Sequence, residues 1–261
     1  MNFSRVLAVI IRHLYNFKHN LERLTDSFYW PALDILLWGI TTQYIQQANQ
    51  KVSNLVLVFL SGLIFWQVIW RSQYEITVNF LEELWNQNLV NLFATPLRVE
   101  EWITAVFSLG FINMIVSVSF AGLVAWLLYS VNILNFGWLL LPFFASLLIV
   151  GWWVGLIVSG LISLFGKNIQ SLAWAGVTLL APFSALYYPV SSLPVWAQKI
   201  ARILPSSYIF EGMRKVLSTG KVPFVNLVIS FGLNFVYLLL SYFFFKYCFA
   251  KSREKGLARL E

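Results

Sequence analysis

Carboxylates are the side chains in this sequence best suited to chemistry or recognition. LEELWNQNLVNLFATPLRVEEW, residues 81–102, carries four glutamates, three asparagines and a glutamine in twenty-two positions. Such a surface suits the docking of a protein with a basic groove. It also suits a solvated connector with ordinary surface charge, which is the simpler interpretation of the stretch taken alone.

Asp34 is the one acid deep in an apolar run. A carboxylate inside a membrane is a functional hypothesis by default, because burying its charge is costly without a partner or water. It lies about seven residues into its predicted span, roughly 10 Å at the helical rise. Hydration or pairing with a basic residue therefore competes with a place on a transport pathway.

Other chemical groups are sparse. His13 and His19 are six residues apart and face different sides of a helix, so they form no i, i+4 metal pair. Cys248 is the single cysteine and has no partner for a disulfide or a zinc site. GLISLFGKN, residues 160–168, lacks the glycine spacing and the final Ser or Thr of a phosphate loop. We predict no catalytic residue, no metal and no nucleotide site in this chain.

The elements that position these groups are membrane helices. Apolar residues make up 59% of the 261 positions and charged residues 11%, whereas a soluble domain has roughly 25% charged residues. About 20 mostly apolar residues span a bilayer, and six segments meet that length. They are residues 28–45, residues 52–70, two within 102–166 separated by 131–137, residues 168–189 and residues 222–245.

The distribution of Lys and Arg predicts the orientation. With both termini in the cytoplasm, twelve basic residues lie inside and six outside, as the positive-inside rule requires. Residues 71–101 then face the cytoplasm. The formal charge of +7 is explained by lipid headgroups at the span ends, so we expect no nucleic-acid partner.

Residues 1–26 are predicted to form an amphipathic helix on the membrane surface. Apolar side chains recur at steps of four and three, with basic residues elsewhere on the helix. A coiled-coil arm is the alternative. The stripe consists of Phe3, Leu7, Ile10, Leu14, Phe17, Leu21 and Leu24.

A second amphipathic helix is predicted over residues 78–93 and ends before Pro96. Its apolar stripe is Val78, Leu81, Trp85, Leu89 and Leu92, and its polar face is Glu82, Glu83, Asn86 and Gln87. In the fourth span, small residues recur every four positions and predict close helix packing. They are Gly151, Gly155, Ser159 and Ser163.

Residues 190–220 predict two short helices joined at a proline. Pro194 and Pro205 suit first helical turns, and Ile209, Phe210 and Met213 give the second helix an apolar side. The pair either folds back into the outer leaflet or forms a surface hairpin.

The order of these parts resembles the membrane subunit of a type-2 ATP-binding-cassette (ABC) transporter. Two motifs carry the resemblance, which spans essentially the whole chain. In the acidic stretch, the matching residues are Glu82, Glu83, Thr95, Pro96 and Glu100. In YYPVSSLPVWAQKIARILPSSYIFEGMR, residues 187–214, they are Pro189, Leu193, Pro194, Pro205, Glu211 and Arg214.

The resemblance implies a permease without catalysis of its own, in an ATP-driven exporter. Two copies, or one copy and a related partner, would form the pathway, and a separate cytoplasmic ATPase binding ATP and Mg²⁺ would dock on residues 73–96 and Glu100. The docking set is Glu82, Glu83, Trp85, Asn86, Leu89, Thr95, Pro96 and Glu100. The residues of the interfacial helix that would contact the membrane surface are Leu7, Ile10, Leu14, Phe17 and Leu21. Residues 190–220 would form the external gate, and Asp34 is a possible pathway residue.

The expected fold is an all-α membrane protein with one permease domain and six transmembrane helices, in the plasma (inner) membrane of a prokaryote. The expected order is an interfacial helix at residues 1–26, spans one and two at 28–70, a cytoplasmic coupling helix at 73–96 and spans three to five at 102–189. External helices at 190–220, span six at 222–250 and a cytoplasmic tail at 251–261 follow. The cargo expected is a lipid, a drug-like amphiphile or a glycoconjugate. Alternatives are a membrane enzyme acting on lipid-linked substrates and an ATP-independent carrier that uses Asp34.

Overall fold

The computed structural model describes residues 1–48 and 54–257, and within these ranges it contains helices and turns but no strand. Ten α-helices follow one another in these ranges. They are α1 (Phe3–His19), α2 (Leu21–Ala48), α3 (Leu55–Trp85), α4 (Leu89–Ala94), α5 (Val99–Tyr129), α6 (Leu140–Phe165), α7 (Leu172–Thr178), α8 (Val195–Ile203), α9 (Pro205–Thr219) and α10 (Phe224–Glu254). Short 3₁₀ segments cover Ile133–Leu139, Gly166–Ile169, Ala181–Phe183 and Val190–Ser192.

Four of the described helical runs are long and apolar enough to cross a bilayer. They are Leu55–Trp85, Val99–Tyr129, Ile133–Ile169 and Phe224–Glu254. The prediction of an all-α, multi-pass membrane protein is therefore confirmed. Residues 52 and 53, at the start of the second predicted span, lie outside the described residues. The crossings expected from residues 28–45 and 168–189 stay predictions.

Residues 28–45 lie inside α2, which begins earlier than expected. α2 is helical from Leu21, and Pro31 is buried in its interior. A proline there cannot donate to the carbonyl four residues before it. The hydroxyl of Ser117 on α5 donates to that carbonyl, the oxygen of Ser27, over 3.3 Å. This bond from a neighbouring helix partly replaces the one that the proline removes.

The segment at residues 168–189 is not one continuous helix. α7 spans only seven residues, a 3₁₀ turn follows at Ala181–Phe183, and Ala185 has a left-handed φ of 58°. Pro182 in that turn supplies no backbone N–H for a continuing helix. The apolar composition of the segment predicted its place near lipid but could not predict this break.

α3 lies at the centre of the bundle and packs against α5 and α6, and α6 also packs against α10. Small residues make the α3–α6 contact close. Gly151 faces Ser72 and the carbonyl of Ile69, and a Cβ atom at Gly155 would lie 2.8 Å from Ile76 Cδ1. The close packing predicted from these glycines is confirmed, since any larger side chain would separate the helices.

Side-chain hydrogen bonds join α6 to α10 in the apolar interior. Asn234 donates to the carbonyl of Ser146 over 2.9 Å and accepts from Trp153 Nε1 over 3.1 Å. The hydroxyls of Ser146 and Ser230 lie 2.7 Å apart. Polar contacts of this kind hold membrane helices together where lipid supplies no hydrophobic drive between them.

Candidate functional site

The acidic stretch lies at one end of the bundle, which we call the charged end. It contains α1, residues 82–101 and the last turns of α10. Within it, we call residues 85–98, which connect α3 to α5, the elbow. The charged end is where sequence analysis expected a partner to dock, and its geometry differs from that expectation in two respects.

The single helix predicted over residues 78–93 is the first difference. α3 ends at Trp85, and α4 begins at Leu89. Between them, Gln87 has a left-handed φ of 51°. Three consecutive amides, Asn86, Gln87 and Asn88, occupy the break. Asparagine has a low helix propensity, and the side-chain amide of Asn88 donates to Glu83 over 2.7 Å.

The environment of the two glutamates is the second difference. We expected Glu82 and Glu83 on a polar face open to solvent, and that prediction was wrong. Glu82 Oε1 accepts from Arg23 Nε over 2.6 Å, and Glu83 is buried and ion-paired with Arg12. Each acid binds a basic residue that precedes it by at least 59 positions.

A buried polar cluster extends from Arg23 into the bundle. Arg23 also donates to Asn79 over 2.7 Å, and its Nη1 lies 3.9 Å from Glu75. Glu75 lies 3.7 Å from Arg71, one turn away on α3. Two arginines and the two glutamates Glu75 and Glu82 therefore balance each other in charge, which reduces the cost of burying them.

His13 completes the contact between α1 and Glu83. Its Nε2 lies 3.7 Å from Glu83 Oε1, and the ring is buried. Burial lowers the pKa of His13 to about 3, with the charges of Arg12 and Arg23 adding to the effect. The ring is consequently neutral near neutral pH, although a carboxylate lies close to it.

α1 is bound to the protein as well as being amphipathic. Val6, Val9 and His13 are buried and form the face that packs on the bundle, chiefly against α5. Leu7 of the predicted lipid-facing stripe is exposed. Arg5 and Arg12 on α1 pair with Glu101 and Glu83 while more than a third of each arginine side chain stays exposed.

The rest of the predicted stripe lies on two helices. Ile10, Leu14 and Phe17 on α1 are partly exposed. Leu21 is 79% exposed but belongs to α2, because α1 ends at His19. α1 is therefore shorter than the helix predicted over residues 1–26.

A second acidic pair fixes the other side of the elbow. Glu101 is buried, accepts from the backbone N–H of Asn2 over 2.7 Å and from that of Arg98 over 3.0 Å, and lies 3.6 Å from Arg5. Glu100 accepts from Lys246 of α10 over 2.7 Å. Sequence analysis identified Glu100 but missed the structural role of Glu101. The seven-residue spacing of Arg5 and Arg12, which puts both on one side of α1, was an available signal.

The exposed face of the elbow carries no acid. Trp85 is 42% exposed, and Asn86, Thr95 and Pro96 are also exposed, whereas Leu89 is buried. The surface of the elbow thus combines an indole, amides, a proline step and the guanidinium of Arg98. Of the residues predicted to contact a partner, Trp85, Asn86, Thr95, Pro96 and the half-exposed Glu100 lie where a partner can reach them.

Trp85 also joins the elbow to α7. Its ring stacks on that of Trp174, with centroids 6.3 Å apart, and its Nε1 donates to Gln170 over 3.1 Å. Displacement of the elbow would therefore also displace α7, the short helix that follows α6.

The second motif, residues 187–214, lies at the opposite end of the bundle. Glu211 on α9 accepts from the backbone N–H of Val190 over 2.7 Å, and Arg214 donates to the carbonyl of Leu186 over 2.9 Å. The two side chains are 3.8 Å apart. They attach the turn before α8 to α9.

The prolines of this motif occupy helix boundaries. Pro194 precedes α8, Pro205 is the first residue of α9, and Pro189 precedes the 3₁₀ turn Val190–Ser192. Leu193 lies between that turn and Pro194, half-buried. The two helices predicted for residues 190–220 are present, and Ile209, Phe210 and Met213 are buried as expected.

Asp34 lies apart from both ends of the bundle, on the wall of a cavity between α2, α3 and α7. Its Oδ2 accepts from Gln67 Nε2 over 3.3 Å. In the part of the chain that the structure describes, no group of three or more His, Cys, Asp or Glu side chains has the geometry of a metal site.

These features define a multi-pass helical membrane protein with a polar elbow at one end and a two-helix cap at the other. Residues 15–218, from α1 to α9, match the family described as ABC-2 type transporter. The chain belongs to this family and is a membrane permease component of an ABC transporter. No curated protein matches the sequence.

Proposed function

We propose that this chain is the permease of an exporter powered by a separate cytoplasmic ATPase, which binds ATP and Mg²⁺ and docks on the exposed face of the elbow. The observation that supports this most directly is the exposure of Trp85, Asn86, Thr95 and Pro96 in a member of a permease family. In this proposal both termini are cytoplasmic, and the membrane is the plasma (inner) membrane of a prokaryote.

The elbow is well placed to transmit force. It is the connection between α3 and α5, and side chains at both its ends bind other helices. Glu82 and Glu83, just before it, bind Arg23 and Arg12, and Glu100, just after it, binds Lys246. Movement of a docked ATPase would thus reach α1, α2 and α10 together.

The acids act as transmission contacts in this proposal, and the exposed face of the elbow, which carries Arg98 but no acid, acts as the docking contact. A ligand shifts the equilibrium between two conformations only by the difference between its affinities for them. The elbow must therefore fit the ATPase differently in each state. Two copies of the chain, or one copy and a relative, would enclose the pathway, with a lipid, a drug-like amphiphile or a glycoconjugate as cargo.

Charge placed on the docking face tests this proposal. Asn86→Arg with Asn91→Arg adds two cations to exposed positions of the elbow. We expect at least a tenfold loss of ATPase binding, because docking contacts concentrate in few residues. The readout is copurification with the ATPase and ATP-dependent transport in vesicles.

The matched control is Asn135→Arg, the same exchange at an exposed position away from the elbow. It should leave binding unchanged. Full ATPase binding by the elbow double variant would refute the docking role. Transport by the permease alone, without an ATPase, would instead favour the ATP-independent carrier.

A further inference from the structure

A cavity of about 550 Å³ opens between α2, α3 and α7. Its volume is in the range of sites for small organic ligands. Six aromatic side chains from four separate segments line it: Trp30, Trp66, Trp70, Tyr74, Trp174 and Tyr187. Such a concentration of rings offers flat apolar surfaces and electron-rich faces to whatever enters.

Asp34 brings a carboxylate to this wall without a compensating cation. Its hydrogen-bond donor is the side-chain amide of Gln67, itself 5% exposed. Among the residues that the structure describes, Lys, Arg and His nitrogens are absent within 4.0 Å of Asp34. A neutral amide orients the carboxylate but does not neutralise it.

The arginine that borders the cavity does not supply the missing charge. Arg71 lies 3.7 Å from Glu75, donates to the backbone carbonyl of Asp26 and lies over the ring of Tyr74. Asp26 accepts from Tyr74 and from Trp30, both neutral donors. The cavity wall is therefore negative overall.

We propose that this cavity binds an amphiphilic organic cation, with its positive centre beside Asp34 and its apolar body against the indole rings. An uncompensated carboxylate in an apolar setting gains most from a ligand that brings the opposite charge. Tryptophan faces attract cations in addition. This inference rests on the proposed export function and names the class of cargo.

A neutral sugar is the rival occupant, since it could stack on the rings and donate hydroxyls to Asp34. It would leave the carboxylate without a countercharge. The charge of the ligand therefore distinguishes the two.

Two probes of the same shape and opposite charge make the test. Tetraphenylphosphonium and tetraphenylborate are titrated against the purified chain in neutral lipid nanodiscs, with tryptophan fluorescence as the readout and empty discs subtracted. We expect Asp34→Asn to weaken phosphonium binding at least tenfold and to leave or strengthen borate binding. Asp34→Glu, which keeps the charge, should retain phosphonium binding within threefold.

Glu254→Gln removes an exposed acid at the end of α10 and is the matched control. It should change neither titration. Phosphonium binding that Asp34→Asn leaves within twofold would overturn the proposal, as would cellobiose binding in place of phosphonium. No ATPase is present, so a negative result would leave the docking proposal intact, and a failure of docking would leave these titrations unaffected.

Discussion

The two ends of the bundle use carboxylates in different ways. At the charged end, three of the four acids in residues 82–101 bind the side chains of distant helices, as in the pairs Glu82 with Arg23 and Glu100 with Lys246, and the fourth, Glu101, accepts from two backbone N–H groups. At the opposite end, Glu211 and Arg214 lie one turn apart on α9 and bind backbone groups of residues 186–190. The first arrangement joins separate elements to each other. The second fixes the shape of one local segment.

The difference has a physical consequence. A contact between two charged side chains depends on both protonation states and, where exposed, on salt. A carboxylate that accepts from a backbone N–H depends on its own state alone. Most carboxylate contacts of the charged end therefore depend on the charge of two side chains, which suits a region proposed to move with a partner.

Reversing the charge of Arg23 should have the largest effect. Arg23→Glu would place a third acid beside Glu75 and Glu82 in a buried cluster. Breaking one partner of a buried pair costs about 3–5 kcal/mol, so we expect a large drop in the thermal unfolding midpoint in detergent. The double variant Arg23→Glu with Glu82→Arg should recover a substantial part of it. No recovery would mean that the pair is not the dominant contact.

Acid should weaken the attachment of α1. The pKa of His13 is lowered to about 3 in the folded state, below the ordinary value of about 6.5. Its contribution to stability is therefore complete above about pH 6.5 and decreases as the pH falls toward 3. Between pH 6.5 and 5 the loss is at most about 2 kcal/mol.

Hydrogen exchange of the amides of α1 measures this change. Protection should fall between pH 7 and 5 after correction for intrinsic rates. His13→Gln should remove most of the dependence, whereas His19→Gln, at an exposed site, should keep it. Equal dependence in both variants would exclude His13 as the cause.

Removing the acceptor at the opposite end should have a smaller and pH-independent effect near neutrality. Glu211→Ala leaves the N–H of Val190 without its 2.7 Å partner, at a cost of about 1–3 kcal/mol. Glu211→Gln keeps an acceptor oxygen and should be milder. Unfolding midpoints of both variants at pH 6 and 8 provide the measurement, and a strong pH dependence would contradict the contrast drawn between the ends.

The smallest effect should come from Glu100. Its pair with Lys246 is about 40% exposed on each side, with side chains 42% and 43% accessible. Such pairs contribute about 0–1 kcal/mol, so Glu100→Gln should hardly change stability. The small difference should vanish in high salt. A large, salt-insensitive loss would place Glu100 among the structural contacts instead.

Several features were predictable because they depend on near neighbours in the sequence. Pro194 and Pro205 mark helix boundaries through their own backbone chemistry, and Gly151 and Gly155 follow the helical repeat that brings them onto one face. The long apolar runs predicted an all-helical membrane protein for the same reason. In each case the prediction depends on the type of a residue or on the helical repeat, and both determine the structure only of residues a few positions away.

The amino-acid sequence alone determined that the chain is a helical membrane protein and which stretches carry its polar groups, because apolar length and helical period are local properties. Only the tertiary structure decided the environments of Glu82, Glu83 and Asp34. Glu82 and Glu83 meet arginines 59 and 71 residues away, while Asp34 meets an amide and a cavity. Whether a carboxylate faces solvent, an arginine or a cavity depends on which helices pack together, and that is a property of the whole bundle.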